Sequence, residues 1–267
     1  MDIYALARKL NIPEEVVLKL KCVPEAAPYL QGLCSSEYES AAAGLHEALG
    51  VDEGGYKILS AMLKAALLSH QEYARRGISD DVYFATMGCF PRFIREHKES
   101  FGFYGFDRWW WTGHQTSLTL FRLGALEYEL CTDGAKKFVS IHIPSDADLN
   151  SDAVDASLLA ACAFVKKFFP EYAGGEFECE SWLLSPSLGE LLPPDSRINR
   201  FRTRFEILEF NEEADDCMIW VFKNASLSKE ELPENTTLQR NMKAYLLRGG
   251  KVGAARGVVR RTCEQES

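Results

Sequence analysis

Residues 138–148 read Phe138-Val139-Ser140-Ile141-His142-Ile143-Pro144-Ser145-Asp146-Ala147-Asp148, and a long apolar stretch from Ser151 to Phe168 follows. The first six residues are dominated by β-branched and aromatic side chains, which predicts a short strand. Pro144 to Asp148 is polar and reads as a loop. Ser151 to Phe168 is long enough for a helix, which Pro170 and then Gly174-Gly175 end. Glu176 to Leu184 reads as the next strand. A strand–loop–helix–strand unit of this kind can aim the amides of the helix's first turn at a ligand. One ionisable residue, His142, stands at the mouth of its first strand.

Working outward, strand grammar begins upstream at Ser117 to Phe121 and Ala125 to Cys131. Leu126-Glu127-Tyr128-Glu129-Leu130 alternates with period two. Gly124 marks a tight turn, and Thr132-Asp133-Gly134 predicts a hairpin into Lys137 to Ile143. Downstream, Leu188 to Phe201 reads as a broken helical connection around Pro193-Pro194. Thr203 to Phe210 and Cys217 to Phe222 read as strands across an acidic turn, Asn211 to Asp216. Thr237 to Arg248 reads as a helix stopped by Gly249-Gly250, and Gly253 to Arg261 as a final strand.

The first hundred residues are helical in pattern. Asp2 can cap Ile3 to Leu10, and Pro13 fits a first helical position. Tyr38, Ala42, Leu45 and Leu49 fall on helical spacing before Gly50. Ile58, Leu59, Met62, Leu63, Ala66 and Leu67 form one buried stripe. Ser79-Asp80-Asp81 starts a helix through Met87, and Phe90 to His97 is another. The run from Phe101 to Trp111 is dense in aromatics, with Asp107 as a cap for a helical turn. Trp109, Trp110 and Trp111 cannot share one helix face, so at least one points away from the others. Packing of these rings in a junction and a tryptophan lining a ligand cleft are both open readings. Helices followed by a mixed α/β region predict two domains, 1–113 and 114–267, in an α+β chain.

Composition bounds the function. The 267 residues carry a formal charge of -9 and are 46% hydrophobic, which is ample for a packed core. No basic stripe exists to hold nucleic acid, and Lys251, Arg256, Arg260 and Arg261 read as a solvated tail. The eight cysteines, from Cys22 to Cys263, include no C-x-x-C pair and read as reduced thiols in a cytoplasmic protein. The five histidines show no metal-ligand spacing, so no metal is expected. No stretch reads as a signal peptide or a membrane span.

The strand order after residue 115 resembles the GCN5-related N-acetyltransferase fold. Four strings resemble, more narrowly, bacterial acyltransferase-domain proteins. These join a helical N-acyltransferase N-terminal region to an acetyltransferase-like C-terminal region. The strings are Phe121-Arg-Leu-Gly-Ala-Leu-Glu-Tyr-Glu, Ile141-His-Ile-Pro-Ser-Asp-Ala-Asp-Leu, Cys179-Glu-Ser-Trp-Leu-Leu and Gly249-Gly-Lys-Val-Gly-Ala-Ala-Arg-Gly. The resemblance implies an N-terminal helical domain followed by a mixed β-sheet flanked by helices. It also implies a co-substrate, acetyl-CoA or another acyl-CoA, lying where the third and fourth strands of the unit splay apart. Transposed to this chain, those strands end at Ile143 and near Trp182. The cofactor-binding residues are then Ile143, Ser145, Asp146, Ala147, Asp148 and Trp182. The fold's usual phosphate loop is glycine-rich, whereas this one has no glycine and places Asp146, Asp148 and Asp152 nearby. Side chains obstruct a close phosphate approach, and carboxylates oppose the helix dipole.

Transfer from a thioester to an amine needs a base for the ammonium proton. The candidates are His142, whose ordinary range suits the task, and Glu180, with Ser181 beside it. Each has a structural counterpart: a hydrogen-bonded histidine at a sheet end, and an exposed face formed by Glu176, Glu178 and Glu180. Ser145, Asp146 and Asp148 can alternatively cap the helix, and Trp182 can be core. The expected activity is acyl-CoA-dependent N-acylation of a small-molecule amine or a peptide, with no nucleic-acid or membrane partner; a homodimer is compatible with the sequence. The alternative, motivated by the glycine-free acidic loop, is a non-catalytic ligand-binding or interaction module on the same fold.

Overall fold

The computed structural model describes residues 1–223 and 227–259. Arg260, Arg261 and Cys263, noted above, lie outside the described residues. The chain divides into two compact units, Met1–Leu123 and Gly124–Ser267.

The first unit holds α1 (Ile3–Lys9), α2 (Glu14–Val17), α3 (Tyr38–Leu49), α4 (Tyr56–Arg75), α5 (Asp80–Met87), α6 (Cys89–Phe101), α7 (Trp109–Thr116) and β1 (Leu120–Leu123). Sequence signals act as expected at two helix starts. Asp2 accepts from the Ala5 amide at 2.8 Å, and Ser79 accepts from Val82. The predicted stripe on α4 is the core: Ile58, Leu59, Met62, Leu63 and Ala66 are buried. Tyr83 is tied to it by a 2.8 Å hydrogen bond from its hydroxyl to the Ala66 carbonyl. Asp107 does not cap α7, whose N-cap is Arg108 without a side-chain bond. The three tryptophans diverge as helix geometry demands. Trp109 stacks on His46 and Trp111 lies against His114, while Trp110 is 48% exposed.

The second unit holds β2 (Leu126–Asp133), β3 (Lys136–His142), α8 (Ser151–Phe168), β4 (Phe177–Ser181), α9 (Leu188–Leu191), α10 (Arg197–Arg202), β5 (Phe205–Asn211), α11 (Asp216–Phe222), α12 (Thr237–Leu247) and β6 (Ala254–Val259). Within this unit the strands lie in the order β2-β3-β4-β6-β5. β2 and β3 are antiparallel, β3 and β4 parallel, and β6 is antiparallel to both β4 and β5. The β2–β3 turn uses Gly134 at φ +56°, a conformation that glycine adopts without strain.

Alternation along β3 sends Val139 and Ile141 into the core, and Ser140 and His142 to the other face. α8 packs with Val154, Ala161 and Val165 buried. Ser157 of α8 fixes the helix against β2. Its hydroxyl accepts from the Leu126 amide at 3.2 Å and shares a 2.9 Å bond with the Tyr128 hydroxyl. That clamp sets where the N-terminus of α8 stands relative to the end of β3. Gly175 is needed at the entry to β4, because a Cβ there would collide with the Lys137 carbonyl.

One expectation is corrected. Cys217 to Phe222 is helix α11, not a strand. Cys217, Met218, Val221 and Phe222 pack into a satellite core with Met242 and Leu188, while Ile219 and Trp220 are exposed. That i, i+1, i+4, i+5 burial is helical, and a short apolar run conceals it from period-two reading. Cys22, Cys34, Cys89, Cys131, Cys179 and Cys217 are free thiols, as expected. Among the described residues, no helix is long and apolar enough to cross a membrane.

Candidate functional site

The site begins where one ladder stops. β3 stays in register with β2 along its whole length, from Asp133↔Lys136 to Glu127↔His142. Its register with β4 holds only at Val139↔Phe177 and Ser140↔Glu178, among the described residues, with Val139 N–H donating to the Glu176 carbonyl at 2.9 Å. Past Glu178, β4 continues against β6, from Glu178↔Val258 to Ser181↔Ala255. The two parallel strands therefore share a base and no ladder beyond it. Among the described residues no rung joins Ile141-His142-Ile143 to Cys179-Glu180-Ser181, where the wedge between the strands is expected, and β3 ends at His142 rather than Ile143.

His142 is half-buried at the rim of this wedge. Its Nε2 lies 2.8 Å from Glu129 Oε2. Glu129 sits diagonally across the β2–β3 ladder, opposite Ser140, so alternation places both side chains on one face. Glu127 lies directly opposite His142 on that same face and is 2% exposed. The alternating Leu126-Glu127-Tyr128-Glu129 string already put the two carboxylates together. Only the register shows that they flank His142.

The other side of the wedge carries Glu180, Ser181 and Trp182. Glu180 is exposed and faces Arg256 in register. The Ser181 hydroxyl accepts from the Leu183 amide at 3.1 Å and so caps a 3-10 turn, Trp182–Leu184, where a longer strand was expected. Trp182 packs against the satellite core. Glu178 departs from the exposed face expected of its alternation. It is buried and binds Lys136 Nζ at 2.6 Å and Arg256 Nη1 at 2.9 Å. Burial pushes its carboxyl up, but Lys136 and Arg256 outweigh this and hold it below the ordinary range. This ion-paired carboxylate marks the last rung of the β3–β4 ladder.

The loop Pro144 to Asn150 leads into α8. Ala147 N–H closes a turn onto the Pro144 carbonyl at 2.9 Å. The N-cap of α8 is Asn150, which makes no side-chain cap bond. Asp148 accepts from the Asn150 amide at 3.0 Å. That bond, with the Asn150 side chain and the charge of Arg197, holds its carboxyl below the usual range. Arg204 reaches the same helix end, donating to Asp155 at 2.8 Å and to the Ser151 carbonyl at 3.2 Å. Arg197, which opens α10, and Arg204, just beyond its end, thus offset part of the carboxylate charge that the sequence places there. Among the described residues, no group of three or more His, Cys, Asp or Glu could hold a metal ion.

The chain as a whole is similar to solved structures. An acyltransferase in complex with decanoyl-CoA and teicoplanin is 25% identical, with a TM-score of 0.80 over 96% of this chain and 86% of that one. An acyltransferase in complex with CoA and 10C-teicoplanin is 25% identical, with a TM-score of 0.81 over 96% of this chain and 87% of that one. No curated protein matches the chain. Residues 1–118 match the N-acyltransferase N-terminal domain family, and residues 120–259 match the GNAT-like C-terminal domain family. With both halves matched in turn, the chain belongs to the family of proteins that join an N-acyltransferase N-terminal domain to a GNAT-like C-terminal domain.

Proposed function

We propose that the protein is an acyl-CoA-dependent N-acyltransferase acting on an amine, carried by a small molecule or a peptide. The observation that carries this reading is the β3–β4 ladder ending at Ser140↔Glu178, with His142 at the rim of the wedge beyond it. The complexes of the similar acyltransferases with CoA, decanoyl-CoA and teicoplanin support it. The chemistry belongs to the C-terminal domain, 114–267.

The pantetheine arm enters the wedge and the thioester carbonyl meets the main chain of Ile141 to Ile143. The amine nitrogen attacks the carbonyl carbon, His142 takes the proton from the ammonium, and the C–S bond breaks to release CoA. Backbone N–H at the end of β3 stabilises the oxyanion formed in between. Holding two substrates together in the wedge supplies much of the rate. Glu180 and Ser181 face the acceptor from the opposite wall, and Trp182 backs that wall. Ile143, Ser145, Asp146, Ala147 and Asp148 border the phosphates, which meet the N-terminal end of α8. Arg197 and Arg204 supply the positive surroundings that a glycine-free loop lacks.

Thermal melting with CoA, acetyl-CoA, octanoyl-CoA and decanoyl-CoA tests the binding half, because a ligand that binds only the folded state raises Tm. A rise with at least one thioester is expected, and no rise at millimolar concentration refutes the proposal. Release of free CoA thiol with an amine panel that includes teicoplanin tests the chemical half. Binding without turnover across the panel would favour the non-catalytic module, the reading to which Asp146, Asp148 and Asp152 beside the loop give some weight.

A further inference from the structure

We infer that Glu129 is the positioning residue for His142, setting which ring nitrogen takes the substrate proton. The inference rests on the reading of His142 as the proton acceptor. Its geometric basis is independent of any ligand. A carboxylate only accepts hydrogen bonds, so the 2.8 Å approach of Glu129 Oε2 to His142 Nε2 requires the hydrogen on Nε2. In the neutral ring the lone pair then sits on Nδ1. The amine proton goes to Nδ1, and the resulting imidazolium keeps its Nε2–H on Glu129. The carboxylate holds the tautomer and the ring orientation, and it offsets the charge that forms.

The placement is well suited to that task. Glu129 is on β2, which stays in register with β3 to its last residue, so the orienting group rides on the rigid side of the strand. The carboxylate is largely buried, with 15% of its side chain exposed, so water competes weakly for the bond. Glu180, the other candidate base, is exposed on the opposite wall. The inference therefore separates the two candidates: His142 has an orienting carboxylate and Glu180 does not need one.

The test uses the full chain labelled with 15N-histidine. Long-range 1H–15N spectra at a pH where the ring is neutral should show His142 protonated on Nε2 in the unmodified protein. Glu129→Leu should convert it to a tautomer mixture. The same variant should lose about 10- to 100-fold in kcat, a part of what a general base contributes, with KM for acyl-CoA within about twofold. Adding Glu129→Leu to His142→Ala should cost nothing further, because a residue that acts through another is silent once that one is gone. If Glu129→Leu does not fold, Glu129→Gln takes its place, since its amide can present either end to the ring and should also scramble the tautomer. Nδ1 protonation in the unmodified protein overturns the inference, as does an unchanged kcat or a full additive loss in the double variant. If no acyl-CoA binds, the catalytic proposal fails while the tautomer spectra still decide the role of Glu129.

Discussion

β3 treats its two neighbours differently. Toward β2 it is zipped from Lys136 to His142; toward β4 it is joined only at Val139 and Ser140. The same residues, with the same strand propensity, sit on both sides, so the difference is not local to β3. β4 turns away to follow β6, and the rung where it leaves carries the buried, doubly ion-paired Glu178. One side of the strand is zipped throughout and the other has no rung past Ser140 among the described residues. The groups proposed for the chemistry lie at that boundary.

The largest effect is expected at the opening. His142→Ala should cut turnover about 10²- to 10⁴-fold and leave the acyl-CoA-induced rise in Tm in place. Retained turnover would break the link between the wedge and catalysis. On the zipped side, Ile141 is fully buried, and Ile141→Ala should cost about 2–5 kcal/mol in urea unfolding. The same deletion two residues on, Ile143→Ala, removes a half-buried side chain beyond the ladder and should cost about 1 kcal/mol. Equal costs would mean that the strand does not loosen where its ladder ends.

At the last rung, Glu178→Gln removes the charge that holds Lys136 and Arg256, at a cost of about 1–2 kcal/mol. The Glu178 carboxyl lies below its ordinary value in the folded chain. Its contribution is therefore complete above the unfolded value near 4.5 and is lost as pH falls through the lower folded one. Stability of the unmodified protein measured below pH 5 should fall more steeply than that of the Gln variant. Parallel curves would remove Glu178 from the account. The smallest effect is expected at Ser181→Ala, which deletes the cap on the Leu183 amide and should cost about 0.5–1 kcal/mol in thermal melting.

Much of this arrangement was legible residue by residue. The alternation of Phe138 to Ile143, the proline after it and the 18-residue apolar helix were enough to place His142 at a strand end beside a helix N-terminus. The helical stripe on α4 and the hairpin at Gly134 follow from spacing and turn chemistry alone. α11 was misread because six apolar residues in a row fit either period, and only the satellite core selects the helical one. The exact start of α8, after Asn150, was not legible, because several polar residues in a row could each stand at the N-cap.

The sequence by itself determined the α+β class, the strand–loop–helix–strand unit, and the presence of a histidine at its mouth, because periodicity and turn residues act over a few neighbours. Only the tertiary structure decided that the ladder stops after Ser140, that Glu129 reaches His142, and that arginines around α10 come to the α8 N-terminus. Each of those pairings joins residues distant in sequence, and strand register and helix packing, which bring them within hydrogen-bond range, are set by the whole sheet and its core.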